Sequence, residues 1–166
     1  MWNSLFGRDP DRAPAPESST PPPPAEPFAD RMLARMLETS WTARRAGARL
    51  PVAALPQLGL IEDLAIPLLQ HLRTSPPSVD EEIAVEGIVT DYLPTTINAY
   101  LSMNHQFAHQ VRPDGRTPGD DLLDQLQTLE HAIADLTQAV YAHDAQQLAV
   151  QGRFLSTKFD RSDLDL

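Results

Sequence analysis

The chain is 166 residues long, with 23 acidic against 13 basic side chains, a net charge of −10, 16 prolines and no cysteine. The missing cysteine excludes a disulfide framework, a zinc–thiolate site and a cysteine nucleophile, and no apolar run approaches the roughly 18 residues of a membrane span. The charge is split, with 7 Arg and 6 acidic residues in 1–49 but 6 basic and 17 acidic residues from 50 onward. The acidic part repels phosphate backbones, so nucleic acid is a poor partner for it.

The opening MWNSLFGR places Trp2, Leu5 and Phe6 in an otherwise polar segment. Such a tip reads as a docking peptide for a groove on another protein. The alternative is a dip into a membrane interface, where Arg8 and Arg12 are offset by Asp9 and Asp11. No basic region leads into a long apolar stretch, so a secretory signal is not expected and the location reads as cytoplasmic, with a peripheral membrane position open through the tip. Eight of the prolines lie in residues 1–27, including PPPP at 21–24. Pro, Ala, Ser, Thr and charge cannot bury enough apolar surface to offset chain entropy, so residues 1–25 read as a disordered arm of polyproline character.

A first helix is predicted from near Pro27 to Gly47, with Phe28, Met32, Met36 or Leu37, and Trp41 on its apolar face. Arg44, Arg45 and Arg49 gather at its end, where they complement the helix dipole or pair with acidic helices or an anionic partner. Leu50 to Arg73 carries Leu55, Leu58, Ile61, Leu64, Ala65, Leu68 and Leu72 at helical spacing. Pro56 suits its start, and Pro67 predicts a bend because it removes one backbone hydrogen bond.

Pro76 and Pro77 lie in a loop, and Ser78 is an N-cap candidate followed by Asp80, Glu81 and Glu82. The helix that follows contains the central stretch, EGIVTDYLPTTINAYLSM at 86–103. Val85, Ile88, Val89, Tyr92, Leu93, Ile97, Tyr100 and Leu101 form its apolar rhythm, with Pro94 in the middle. Either Pro94 frees the carbonyl of Thr90 and bends one helix, or Asp91 caps a second. A kink or two nearly collinear helices is expected, with Tyr92 and Tyr100 on roughly the same side. Asp91, Tyr92, Pro94, Thr96 and Tyr100 are the candidate groove or packing site.

His105 and His109 have the four-residue spacing of a two-histidine metal site, but residue 106 is Gln, so no HExxH motif is formed. No metal or cofactor is assigned. His131 with Asp135, and His143 beside Asp144, read as solvated helical positions. RPDGRTPG at 112–119 has turn chemistry. The last helix has the plainest pattern: Leu122, Leu126, Leu129, Ile133, Leu136 and Val140 step by fours and threes, the seam of packed helices. Val150 and Phe154 continue its phase. Tyr141, Leu148 and Leu155 form a second seam, which predicts burial on two sides, and residues 161–166 form an acidic tail. No GxSxG, Walker loop or GxGxxG occurs, so an enzyme is not predicted.

DYLPTTINAYL at 91–101 resembles the helical segment of XpaC-like proteins, a bacterial group associated by name with halo-indolyl phosphate hydrolysis and found near toxic-anion (tellurite) resistance proteins. FLSTKFDRSDLDL, Phe154 to Leu166, is similar to the acidic end of that group. The likeness covers the C-terminal half. It departs at the N-terminus, where a proline-rich arm stands in place of membrane-spanning helices, and it brings no catalytic residues to carry over.

The expectation is an all-α bundle of four to five helices over 26–160, with a proline-kinked helix and a long C-terminal helix, behind the arm. Its expected role is a non-enzymatic interaction, accessory or scaffold module of a bacterial assembly, docking on another protein through Trp2, Leu5 and Phe6. Peripheral membrane-associated toxic-anion resistance is the alternative, and a metal-dependent hydrolase centred on His105 and His109 the second alternative.

Overall fold

A computed structural model describes residues 26–160. The arm with its tip, and the acidic tail, lie outside the described residues. Among the described residues the regular structure is helical, with no strand: α1 (Phe28–Arg45), a 3-10 turn (Gly47–Arg49), α2 (Ala54–His71), α3 (Val79–Glu86), a π-helical segment (Gly87–Tyr92), α4 (Leu93–Leu101), the short α5 (His105–Ala108) and α6 (Pro118–Asp160).

Short connections make sequential helices antiparallel neighbours, and side-chain ties fix which ends meet. At one end Arg49 donates to the carbonyl of Leu101, and Gly119 lies against Pro51. At the other, Arg73 pairs with Asp30 and His71 with Asp144. The chain therefore runs up α1, down α2, up through α3, the π segment and α4, and down α6. α2 packs on α1 and α6, and α4 on α6 and α1, so α1 and α6 stand diagonally in a four-helix bundle. Met36, Leu58, Ile61, Leu69, Leu93, Ile97 and Leu126 are fully buried at its centre. With no disulfide, burial of this kind is the main stabilising term.

The caps follow local chemistry. Ser78 accepts from the Glu81 N–H while the Glu81 carboxylate accepts from the Ser78 N–H, the reciprocal capping box, with Asp80 and Glu82 in the same first turn. Thr117 and Asp120 make a similar exchange at the start of α6. Gly115 has φ +81° in the Pro-Asp-Gly turn, a conformation costly for residues with a Cβ. Pro56 falls in the first turn of α2, and α2 continues through the exposed Pro67 to His71.

Two predicted faces are rotated. On α1 the buried side is Ala29, Met32, Met36, Thr39, Ser40 and Ala43, whereas Leu37 and Trp41 face outward, Trp41 at 64% exposure. The small residues let α1 approach its neighbours closely, a contact that an indole would wedge apart. Ser40 Oγ is buried there without a protein partner. On α6 Leu122, Leu126, Leu129, Ile133 and Val140 of the first seam are buried and Leu136 is half-buried, but in the second seam Tyr141 is 46% and Leu148 71% exposed, and the Leu155 side chain lies outside the described residues. Burial on two sides is thus a correction, and helix length is its cause. α1 and α2 have 18 residues each and α6 has 43. At 1.5 Å per residue α6 is about 65 Å long against about 27 Å for α1 and α2, so beyond Asp144 no other helix among the described residues runs beside it.

The π segment is the other departure from an ideal helix. Val85 is buried before it, Ile88 and Val89 at its start, and Leu93, Ile97 and Tyr100 after it. In a continuous α-helix at 100° per residue these two groups would point about 90° apart. One wider turn absorbs that angle and aims both at the same core. The Leu93 N–H donates to the carbonyl of Ile88, five residues back. In that register Pro94, which has no N–H, fails Val89 rather than Thr90. The backbone stays helical throughout, with Glu86 at φ −59°, ψ −47° and Leu93 at φ −64°, ψ −52°. Asp91 therefore caps no new helix.

Candidate functional site

The predicted groove residues are divided around this helical rod. Leu93 and Tyr100 face the core, while Tyr92 is thrown outward at 59% exposure, so the two tyrosines do not share a side. The Tyr92 ring lies over Gly87, five residues earlier, where the wider turn brings it. Asp91 is exposed and accepts from the Thr95 hydroxyl. Thr96 is half-buried. Pro94 alone of the five lines a cleft, of about 550 Å³, between α1 and the rod.

That cleft has a floor of Met32, Val89 and Ile97 and walls that include Arg31, Arg35, Glu38, Thr42, Thr90 and Asn98. Both of its arginines already have partners. Arg35 pairs with Glu38 at 3.0 Å and Arg31 donates to the carbonyl of Glu26 at 2.8 Å. The Thr42 and Thr90 hydroxyls donate to the carbonyls of Glu38 and Glu86, one turn back. With both arginines engaged and Glu38 and Glu86 also in the lining, the wall gives a ligand no convergent set of donors.

A second cluster forms where α2, the following loop, α3 and α6 meet. His71 Nε2 lies 2.6 Å from Asp144 Oδ2, and the Ser75 hydroxyl donates to Asp144 Oδ1 at 2.8 Å. The His71 ring N–H first, and the Ser75 hydroxyl second, hold the Asp144 carboxyl below its usual range. An ionised carboxylate only accepts, so His71 Nε2 carries the proton. Beside it His143 Nδ1 lies 3.3 Å from Glu81 Oε1, and the Gln147 amide 2.7 Å from His143 Nε2. Burial pushes the Glu81 carboxyl up, but the Ser78 backbone N–H and hydroxyl and the His143 ring outweigh it and hold the group lowered. His71 also stacks at a tilt on Tyr141, ring centroids 4.9 Å apart.

Serine, histidine and aspartate together invite a triad, but the connectivity is wrong for one. Ser75 donates to the aspartate, not to the imidazole, so the histidine is not placed to take the hydroxyl proton. The cluster instead clamps α6 to the ends of α2 and α3. His143 and Asp144 were expected to be merely solvated, and the fold turns both into cross-helix ties.

His109 stands at the C-cap of the four-residue α5, not on a helical face continuing from His105. Among the described residues no three His, Asp or Glu side chains group as metal ligands would. Arg44 pairs with Glu62 of α2, and Arg49 reaches the Leu101 carbonyl, so two members of the predicted basic patch meet this chain's own groups.

The third place is the overhang of α6. Below the His71–Asp144 clamp, residues 145–154 are all exposed. Val150 and Phe154, at 54% and 63% exposure, continue the seam that Leu122 to Val140 bury in the bundle. They border an open apolar hollow with His143, Gln146, Gln147 and Gln151. Leu148 faces the other side of the same helix. The heptad spacing of these residues was visible in the sequence, but not that the neighbouring helices stop short of them.

No family model, no curated protein and no solved structure matches this chain. Among the described residues no helix is long and apolar enough to cross a membrane.

Proposed function

We propose that the chain is a protein-interaction module, a helical accessory subunit whose receiving surface is the α6 overhang. One observation supports this above the others: Val150 and Phe154 extend the core seam past the end of the bundle, with Leu148 exposed on the opposite side. A helix with no neighbour among the described residues on either apolar face presents surface that an amphipathic partner helix would cover. The clamp around Asp144 sets the overhang's direction at its root, which reduces the ordering cost of docking.

The test is affinity capture from the native cell with full-length bait. Val150→Ser with Phe154→Ser removes the apolar seam outside the core, and Ile83→Ser, at an exposed position on α3, serves as control. Loss of one reproducible partner with the first bait and its retention with the control supports the reading. Equal capture by both baits defeats it.

A further inference from the structure

We propose that in the free protein the N-terminal tip, Trp2, Leu5 and Phe6, seats on the chain's own α6 overhang against Val150 and Phe154. The inference goes beyond partner binding and is independent of it, since it is measured on the protein alone.

Topology places arm and overhang together. Asp30, in the first turn of α1, pairs with Arg73, and Asp144, at the root of the overhang, pairs with His71. The two ties are two residues apart near the end of α2, so the chain enters α1 at the end of the bundle from which α6 departs. Pro27 is extended, with φ −53° and ψ 142°, which directs the preceding chain away from the α1 axis. From Glu26 back to Phe6 the sequence is long enough to reach roughly 60 Å at about 3 Å per residue, the rise of a polyproline-like chain. The overhang from Ala145 to Asp160 is only about 24 Å long.

Chemistry matches as well. The hollow around Val150 and Phe154 is flanked by Gln146, Gln147 and Gln151, and among the described side chains His143 is its one titratable lining residue. Residues 2–7, WNSLFG, carry no charged side chain. Apolar burial, not ion pairing, would hold the two together, so the contact should persist in high salt. Tethering gives the tip an effective concentration in the millimolar range. A contact too weak to associate two chains at micromolar concentration is therefore still occupied within one.

The protein has two tryptophans, and Trp41→Phe changes an exposed one, leaving Trp2 as the sole reporter. In that full-length background Trp2 emission should be blue-shifted, and less quenched by acrylamide, than in a peptide of residues 1–25. The shift should survive 1 M salt and dilution. Val150→Ser with Phe154→Ser should abolish it while leaving helix content and the urea midpoint of the bundle in place. Emission equal to that of the peptide overturns the proposal, as does a shift that survives the double substitution. A shift lost on dilution in step with a dimer mass assigns the seat to a second copy instead. A shift that appears only with anionic phosphatidylserine vesicles assigns the tip to a membrane.

Discussion

Tyr92 and Leu93 are adjacent, both apolar in character, and the π segment gives them opposite environments. In an unbroken α-helix Tyr92, seven residues after Val85, would return to the core face and Leu93 would turn about 80° from it. In the structure Leu93 is 0% exposed and Tyr92 59% exposed. Leu93→Ala removes a fully buried side chain and leaves a cavity, a change that costs about 2–5 kcal/mol. Tyr92→Ala loses only the ring's cover over Gly87 and should cost less than about 1 kcal/mol, as exposed positions do. The assay is urea unfolding followed by far-UV circular dichroism, comparing midpoints at constant slope. The same comparison in a Pro94→Ala background tests what sets the wider turn. An α register would rotate Leu93, Ile97 and Tyr100 away from the core at about 1.5–3 kcal/mol each. The recovered backbone hydrogen bond returns only about 1 kcal/mol. Packing wins, so the π turn should persist without the proline. A Tyr92→Ala loss as large as that of Leu93→Ala, in either background, would refute this reasoning.

Three further outcomes are expected. Ser40→Ala should stabilise by about 1 kcal/mol, because it removes a buried hydroxyl with no protein partner, and an unchanged or lower urea midpoint would show that the oxygen is satisfied. Gly59→Ala should raise stability by about 0.5–1 kcal/mol, since a Cβ there meets nothing within 4 Å and the residue is helical. Asp144 and Glu81 are both held below their ordinary carboxylate values. Their stabilising contribution is then complete above the unfolded carboxylate range, near about pH 4, and is lost as pH falls through the lower folded-state values. Asp144→Asn should lower the urea midpoint at pH 7 and flatten its fall in acid, and an unaltered acid slope would remove Asp144 from that role.

Much of the bundle was legible because its signals are local. Ser78 with Glu81, Pro-Asp-Gly at 113–115 and the Leu122 to Val140 seam each declare an element within a few residues. The wider turn had a trace too. Val85, Val89, Leu93 and Ile97 are spaced by four three times over, a stripe that drifts around an ordinary helix unless one turn is widened. Tyr92 hid it by offering an alternative apolar position in the undistorted phase. The clamp had no local signal, since His71 and Asp144 are 73 positions apart and meet only once the order of helices is known. The overhang was half legible. Its heptads were present, but whether Leu148, Val150 and Phe154 are covered depends on where α2 and α3 stop.

The overhang's role is tested most directly by hydrogen–deuterium exchange on the free protein and on its purified native complex. Partner binding at the proposed surface predicts that amides in 145–160 gain protection in the complex, while those of α1 and α4 bordering the cleft do not change. Protection confined to the α1–α4 cleft, with exchange in 145–160 unaltered, would contradict it.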